Sequence, residues 1–249
     1  WHSADPGVQF DTITNYWHTC PKAGRINASN PCSEYVHLDN SACNLASINL
    51  LRFLRPDGSF DVELYKKVID TFILAQDILV DNSSYPTEKL TKNARNYREL
   101  GLGYANLGAL LMTMGLAYDS DRGRAIGGML TSILTGEGYR MSAELARAGG
   151  PFRGFDKDRE GMLGVLQKHY QVAENLVKGI NEAGLFDDEY MKQEAVNVWR
   201  ESLELGGQYG VRNSQATVLA PTGTISFLMD CATTGIEPEL ALVKYKKLV

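Results

Sequence analysis

Between residues 98 and 115 the chain reads Arg-Glu-Leu-Gly-Leu-Gly-Tyr-Ala-Asn-Leu-Gly-Ala-Leu-Leu-Met-Thr-Met-Gly, and no other run constrains the fold as much. Residues 98–103 read as a short buried strand, and 104–115 as a helix that follows at once. Gly101, Gly103 and Gly108 remove side chains where strand and helix meet, which allows close backbone approach. The spacing is Gly-x-Gly-x-x-x-x-Gly, not the Gly-x-Gly-x-x-Gly of a dinucleotide fingerprint, so the glycines are read as packing devices. Met112, Met114 and Met129 are read as core filler.

The rest of the chain supplies elements of both kinds. Residues 43–54 are apolar enough to enter a core. Residues 60–81 place Val62, Leu64, Val68, Ile69, Phe72, Ile73 and Leu79 at helical spacing, after a turn at Asp57-Gly58. Asp119 or Asp121 is expected to cap a helix that runs to about residue 148 and stops at Gly149-Gly150-Pro151. Helices are expected over 158–180 and 187–205. Residues 211–219 read as a strand feeding a turn at 221–226. Residues 1–33 are polar and turn-rich, with Asp5-Pro6-Gly7 an early turn, and 240–249 alternate like a strand. Short strands interleaved with helices indicate an α/β architecture. The length fits one large domain or two small ones.

Composition excludes several classes. With 44% hydrophobic and 22% charged residues the chain is ordinary globular protein. No apolar run reaches the roughly 18 residues of a membrane span, and no cleavable signal peptide opens the chain. A net charge of −5 argues against a nucleic-acid groove, and Lys244, Lys246 and Lys247 read as a solvated strand end. Four cysteines are too few for a disulfide framework, so a reducing cytoplasm is expected.

Two segments carry chemistry. In Asn30-Pro31-Cys32-Ser33-Glu34 a thiol stands between an amide and a carboxylate, and Cys43 follows in Ser41-Ala42-Cys43-Asn44-Leu45-Ala46-Ser47. In an extended segment Asn30, Cys32 and Glu34 would share one face. An amide, a thiol and a carboxylate base suit radical or nucleophilic chemistry on a hydroxylated carbon. A lone Cys32 would more simply be a small buried hydrophobe. The second segment is Ala220-Pro221-Thr222-Gly223-Thr224-Ile225-Ser226. Its small and hydroxylated residues let N–H groups and hydroxyls approach an anion, aided by a helix starting near Ile225. It lacks the Gly-Lys-Ser/Thr ending of a Walker loop, and by its residues alone a plain strand-to-helix turn is the simpler reading. Cys20 and Cys231 are read as structural. A zinc site from Cys20, Cys32, Cys43, His18 and His37 is not expected, because the spacings are irregular and no Cys-x-x-Cys pair exists.

Taken together, these segments resemble the ribonucleotide reductases. Asn30–Glu34 is similar to that family's active-site finger loop, and residues 100–108, 220–226 and Thr233-Thr234-Gly235-Ile236-Glu237-Pro238 follow in the family's order. Residues 149–208 add little to the match. The resemblance implies part of a ten-stranded α/β barrel with a central finger loop, formed by residues 1–249 as a single partial catalytic domain. It implies that Cys32 carries a thiyl radical, Glu34 acts as base toward the 3′-hydroxyl and Asn30 binds the ribose hydroxyls. Cys43 would supply reducing equivalents, pairing with a cysteine upstream of this chain. Pro31 and Ser33 would line the substrate, and Thr222, Gly223, Thr224, Ile225 and Ser226 would bind its phosphates.

Pro31 and the closeness of Cys43 to Cys32 look most like the adenosylcobalamin-dependent class, with a ribonucleoside diphosphate, or a triphosphate, as substrate. A thioredoxin-type or other dithiol reductant and a homodimer are implied for the full enzyme. Two alternatives stand beside this reading. One is a metal-dependent large subunit that binds no radical cofactor and is activated by a metal-containing partner. The other is a catalytically incomplete nucleotide-binding fragment. Both ends read as cut, so the chain is expected to be the middle of a larger catalytic subunit.

Overall fold

The computed structural model describes residue 2, residues 7–241, and residues 243 and 245. The early turn at Asp5-Pro6, the three-lysine cluster and most of the expected closing strand lie outside the described residues.

Two parallel strands form the centre. Strand β1 (Asn44–Asn49) runs beside β2 (Leu100–Ala105), with Asn44 opposite Leu100 and Asn49 opposite Ala105. Every residue of β2 is buried. On the far side of β2 lies the 215–218 segment: the Leu100 and Leu102 N–H groups donate to the Gln215 and Ala216 carbonyls, and Val218 N–H donates to Leu102 O. The strand expected over 211–219 therefore reduces to one parallel bridge, Leu102 with Thr217. The reason is that Val211, Arg212 and Ser214 give backbone bonds elsewhere, to Phe152, Ser142 and Tyr97. The glycine of β2 explains the tight layer. A Cβ on Gly103 would lie 2.3 Å from the Val218 carbonyl oxygen.

Helices outweigh the sheet. The chain opens with α1 (Asp11–Tyr16), continues through β1 and a 3-10 turn (Leu50–Phe53), and then forms α2 (Val62–Asn82) and α3 (Glu88–Tyr97). After β2 come α4 (Leu107–Thr113), α5 (Asp121–Gly149), α6 (Phe155–Glu182), α7 (Glu189–Tyr209) and the four-residue α8 (Ile225–Leu228). This is a mixed α/β layer of mostly helices on a small parallel sheet. Among the described residues no helix is long and apolar enough to cross a membrane.

Local chemistry sets the helix ends. Asp61, Thr87, Ser120 and Asp188 each accept an N–H from the first turn of α2, α3, α5 and α7. The cap of α5 is thus Ser120, not Asp119 or Asp121. Asp121 sits inside the first turn, where its charge favours the helix dipole. Gly150 ends α5 with φ +83°, a conformation that costs glycine little. Met129 is fully buried as expected, but Met112 is 49% exposed.

In α2 the expected helix forms on a rotated face. Leu64, Phe72 and Leu79 are exposed, while Gln76 and Asp77 are buried. Both polar side chains have partners that reward burial. Gln76 Nε2 donates to Asn44 O at 2.9 Å, tying α2 to β1. Asp77 accepts from Arg98 Nε at 2.9 Å and from Asn213 Nδ2 at 2.8 Å. Arg98 itself sits in the left-handed region between α3 and β2, and its guanidinium also holds both oxygens of Asp81. Asn213 continues the network to Ser142 on α5.

The N-terminal segment packs under this layer through His18. Its Nδ1 accepts the Cys20 N–H at 3.3 Å, which leaves Nε2 to donate to Gly24 O at 3.1 Å. The ring is therefore neutral. Burial, then the neighbouring His37, lowers its pKa to about 4.

Two outcomes follow from this packing. Gly103→Ala should lower stability by about 1–3 kcal/mol, since the added carbon must push β2 off the 215–218 segment; a urea melt reads this directly. His18 stabilises the fold fully above pH 6.5, where it is neutral folded and unfolded alike. As pH falls from 6.5 to about 4 the unfolded chain takes up a proton that the folded one refuses, so up to about 3 kcal/mol is lost. Urea midpoints at pH 7 and pH 4.5 should therefore differ more in the natural chain than in His18→Asn.

Candidate active site

The thiol segment is a hairpin tip rather than an extended strand. Ser29 and Val36 form an antiparallel bridge, and Asn30 N–H donates to Tyr35 O. Inside it, Ser33 N–H donates to Asn30 O at 3.0 Å, closing a turn over Pro31 and Cys32. Proline suits the second position of such a turn, and Ser33 takes a left-handed φ of +65°. The expected common face of Asn30, Cys32 and Glu34 is therefore replaced by a tight loop. Asn30 Oδ1 accepts the Tyr35 N–H at 3.1 Å, so the amide oxygen holds the loop, while its Nδ2 has no partner among the described residues.

The loop separates its functional groups by exposure. Cys32 is exposed and unpaired. Glu34 is half-buried, and its Oε2 is buried without a hydrogen-bond partner. Tyr35, the next residue, is buried against Val218, Ala220 and Cys43. Cys43 thus lies beneath the hairpin, at the entry to β1. Burial, then Glu99 and Glu34, pushes its thiol up to about 12. Glu34 and Cys43 are within electrostatic reach of each other.

The segment that packs on Cys43 leads directly into the second predicted element. The expected short helix is present as α8, whose N-terminus has no side-chain cap. Gly223, Thr224 and Ile225 are exposed there, so the first N–H groups of the helix face outward. Thr222 and Ser226 are buried instead. Thr222 Oγ1 donates to Pro221 O and accepts the Gly235 N–H, and Ser226 Oγ donates to Gly223 O at 2.6 Å. These two hydroxyls shape the turn from inside.

Asn106 anchors the turn to the sheet, a role its sequence context did not reveal. It is fully buried with φ +73° and stands at the end of β2. Its Oδ1 accepts the N–H groups of Ala232 and Thr233 at 3.0 Å, and its Nδ2 donates to Asn49 Oδ1 at the end of β1. Asn49 Nδ2 in turn donates to Met229 O. The Thr233–Pro238 motif is thereby fixed against Gly108, where a Cβ would meet Glu237 O at 2.9 Å.

A second buried group lies behind Cys43. His37 Nδ1 is 3.1 Å from Glu99 Oε1, and its Nε2 is 3.2 Å from Ser214 Oγ. Burial raises the Glu99 pKa, with His37 opposing. Cys20 is also buried here, its thiol pushed up to about 12 chiefly by burial. Of the five residues weighed for zinc, His18, Cys20 and His37 share this region, whereas Cys32 is on the exposed tip. Sequence reasoning treated His37 only as a metal ligand and passed over Glu99. The one available signal was an acidic residue at the mouth of an otherwise apolar strand.

Two cavities exist away from the thiols. One of ≈540 Å³ lies between α4, α5 and α6, and one of ≈310 Å³ beside His18, His37 and His169. Neither is lined by Cys32, Glu34 or Cys43.

Comparison with known proteins places this arrangement. Residues 1–249 match the family described as "Ribonucleotide reductase, barrel domain". The chain is 56% identical over 248 residues to the vitamin B12-dependent ribonucleotide reductase of Rhodopirellula baltica, which covers 100% of this chain and 23% of that protein. It is 52% identical over 253 residues to the protein of the same name from Streptomyces coelicolor, covering 100% of this chain and 26% of that one. It is 30% identical over 245 residues to the vitamin B12-dependent ribonucleoside-diphosphate reductase of Mycobacterium tuberculosis, covering 98% of this chain and 29% of that one. The chain spans about a quarter of the length of these relatives. Matched from end to end, and carrying the thiol hairpin and the half-buried second cysteine in one layer, the chain belongs to the ribonucleotide reductase barrel-domain family.

Proposed function

We propose that this chain is part of the catalytic barrel of an adenosylcobalamin-dependent ribonucleotide reductase, which converts ribonucleotides to 2′-deoxyribonucleotides. The observation that carries this reading is the pairing of an exposed thiol, Cys32, on a hairpin tip with a second thiol, Cys43, half-buried against the hairpin's Tyr35. One is placed to meet a substrate and the other is partly screened from solvent. The names of the relatives support the cobalamin class.

In this reading Cys32, as a thiyl radical, removes the substrate's 3′-hydrogen. Sulfur suits the step because its S–H bond is comparable in strength to the activated C–H bond, so transfer is reversible. Glu34 accepts the 3′-hydroxyl proton, using the oxygen that has no protein partner. The unpaired Asn30 Nδ2 donates to a ribose hydroxyl and fixes the reacting geometry, while its Oδ1 keeps the loop closed. The 2′-hydroxyl leaves as water. Cys43 then supplies reducing equivalents and becomes half of a disulfide, which an external thioredoxin-type dithiol restores. Pro31 and Ser33 line the sugar. The outward N–H groups of Gly223, Thr224 and Ile225 take the phosphates, on a turn shaped by Thr222 and Ser226. A diphosphate substrate is proposed in line with the printed name of the Mycobacterium relative.

Adenosylcobalamin would supply the radical by homolysis of its Co–C bond. Neither of the two cavities described above is lined by Cys32. Closure into a ten-stranded barrel, a homodimer and a cytoplasmic location complete the proposal.

In the complete protein, Cys32→Ala should abolish turnover while ribonucleotide affinity stays within about twofold. Rapid-freeze electron paramagnetic resonance with adenosylcobalamin and ribonucleotide should show a coupled cobalt(II)–thiyl signal that this variant lacks. Activity in Cys32→Ala, or activity that appears only with a metal-radical subunit, would overturn the assignment. Glu34→Gln should lower kcat by about 10²–10⁴-fold with a smaller change in KM, as expected for loss of a proton acceptor; steady-state kinetics on the two parameters separately tests this.

A further inference from the structure

Glu99 is a buried carboxylate that the proposed reaction does not use. It stands one residue before β2, as Cys43 stands one residue before β1, and the parallel register opens with Asn44 opposite Leu100, so the two residues enter the sheet as neighbours. Its side chain is fully buried, and neither of its oxygens has an aligned hydrogen-bond donor. Its closest partner is His37 Nδ1 at 3.1 Å, held from behind by Ser214 Oγ at 3.2 Å from Nε2. The His37 ring is fixed by neighbouring rings, with Tyr35 stacked at 6.3 Å and Tyr97 edge-on at 6.1 Å. Ser214, His37 and Glu99 therefore form a chain that runs from the core to the wall behind Cys43. Glu34 approaches the same thiol from the hairpin.

We propose that Glu99, oriented by His37 and Ser214, is a positioning residue that holds the Cys43 sulfur as a neutral thiol, the form that can deliver hydrogen. The inference rests on the redox role given to Cys43 above. Its physical basis is that a thiolate formed between two carboxylates in a half-buried site is repelled by each of them when ionised. Burial works in the same direction.

The groups that bear on Cys43 are Glu34 from the hairpin, Glu99 from the entry to β2 and the phenol of Tyr35. The nearest strong cation in sequence, Arg98, is turned away and bound to Asp77 and Asp81. Around Glu99 itself lie His37, Tyr35, Tyr85, Tyr97 and Cys20, and burial is the first cause that raises the pKa of the three tyrosines and of Cys20. Thiolates are the form that oxidants and disulfides attack. A thiol kept neutral is thus reserved for its own reaction.

The test is iodoacetamide labelling of the complete protein across pH 7–11, with the Cys43 peptide quantified by mass spectrometry. In the natural protein, labelling of Cys43 should stay low up to about pH 10, well above the ordinary thiol midpoint of about 8.5. Glu99→Gln should move the profile down by about one pH unit, so that labelling at pH 9 rises about tenfold, and Glu99→Asp should restore most of the resistance. An ordinary midpoint in the natural protein overturns the inference without any substitution, so misfolding of a variant cannot shelter it. An unchanged profile in folded Glu99→Gln overturns it too. So does a rise at Cys43 matched by the buried Cys20 peptide, which would mean that the core had opened. Labelling needs no turnover, so its failure leaves the reductase assignment to the Cys32→Ala experiment.

Discussion

The buried guanidinium of Arg98 is the contact on which the rest of the layer depends. It ties α2 to the start of β2 through Asp77 and Asp81, while Asn213 carries the same network to α5 through Ser142. A buried ion pair adds little stability over well-packed apolar groups, but removing one partner leaves an uncompensated charge at a cost of about 3–5 kcal/mol. What such a pair supplies is register. Arg98 can satisfy both aspartates only when β2 enters the sheet at one place, and Asn213 then fixes where the 215–218 segment joins it.

Register at that end sets the chemistry beside it. With β1 and β2 in step, Cys43 and Glu99 enter the sheet side by side, and the hairpin closes over them through Tyr35. At the other end of the strands, Asn106 and Asn49 collect backbone groups from residues 229–233 and so fix the 221–226 turn. The two ends of one short parallel sheet thus hold the thiols and the candidate phosphate turn apart at a fixed spacing. The glycine at 103 makes this possible, because a side chain there would separate β2 from the segment that links both ends.

Legibility in the sequence followed the range of the forces involved. Helices α2, α5, α6 and α7 were readable because an apolar repeat specifies each of them locally. Helices α1 and α3 were missed. The first is exposed along its length, and the second buries only Ala94, so neither carries an apolar stripe. The face of α2 was misjudged because Gln76 and Asp77 look solvent-facing until Asn44, Arg98 and Asn213 are brought to them. At the site, Cys32, Glu34 and Cys43 were legible by type and spacing. The hairpin was not, since the hydrogen bonds that turn an apparent strand into a loop come from Tyr35 and Val36 folding back.

By itself, the sequence determined the residue types at the candidate site, the buried glycine strand and the long helices, all of which depend on neighbours within a few positions. Only the tertiary structure decided that Cys32 is exposed and Cys43 half-buried, that the Thr222 and Ser226 hydroxyls point inward, and that Glu99 and His37 stand behind Cys43. Those outcomes depend on desolvation and on partners far away in the chain. Ser214, 177 residues from His37, is one such partner, and no local pattern encodes a contact of that length.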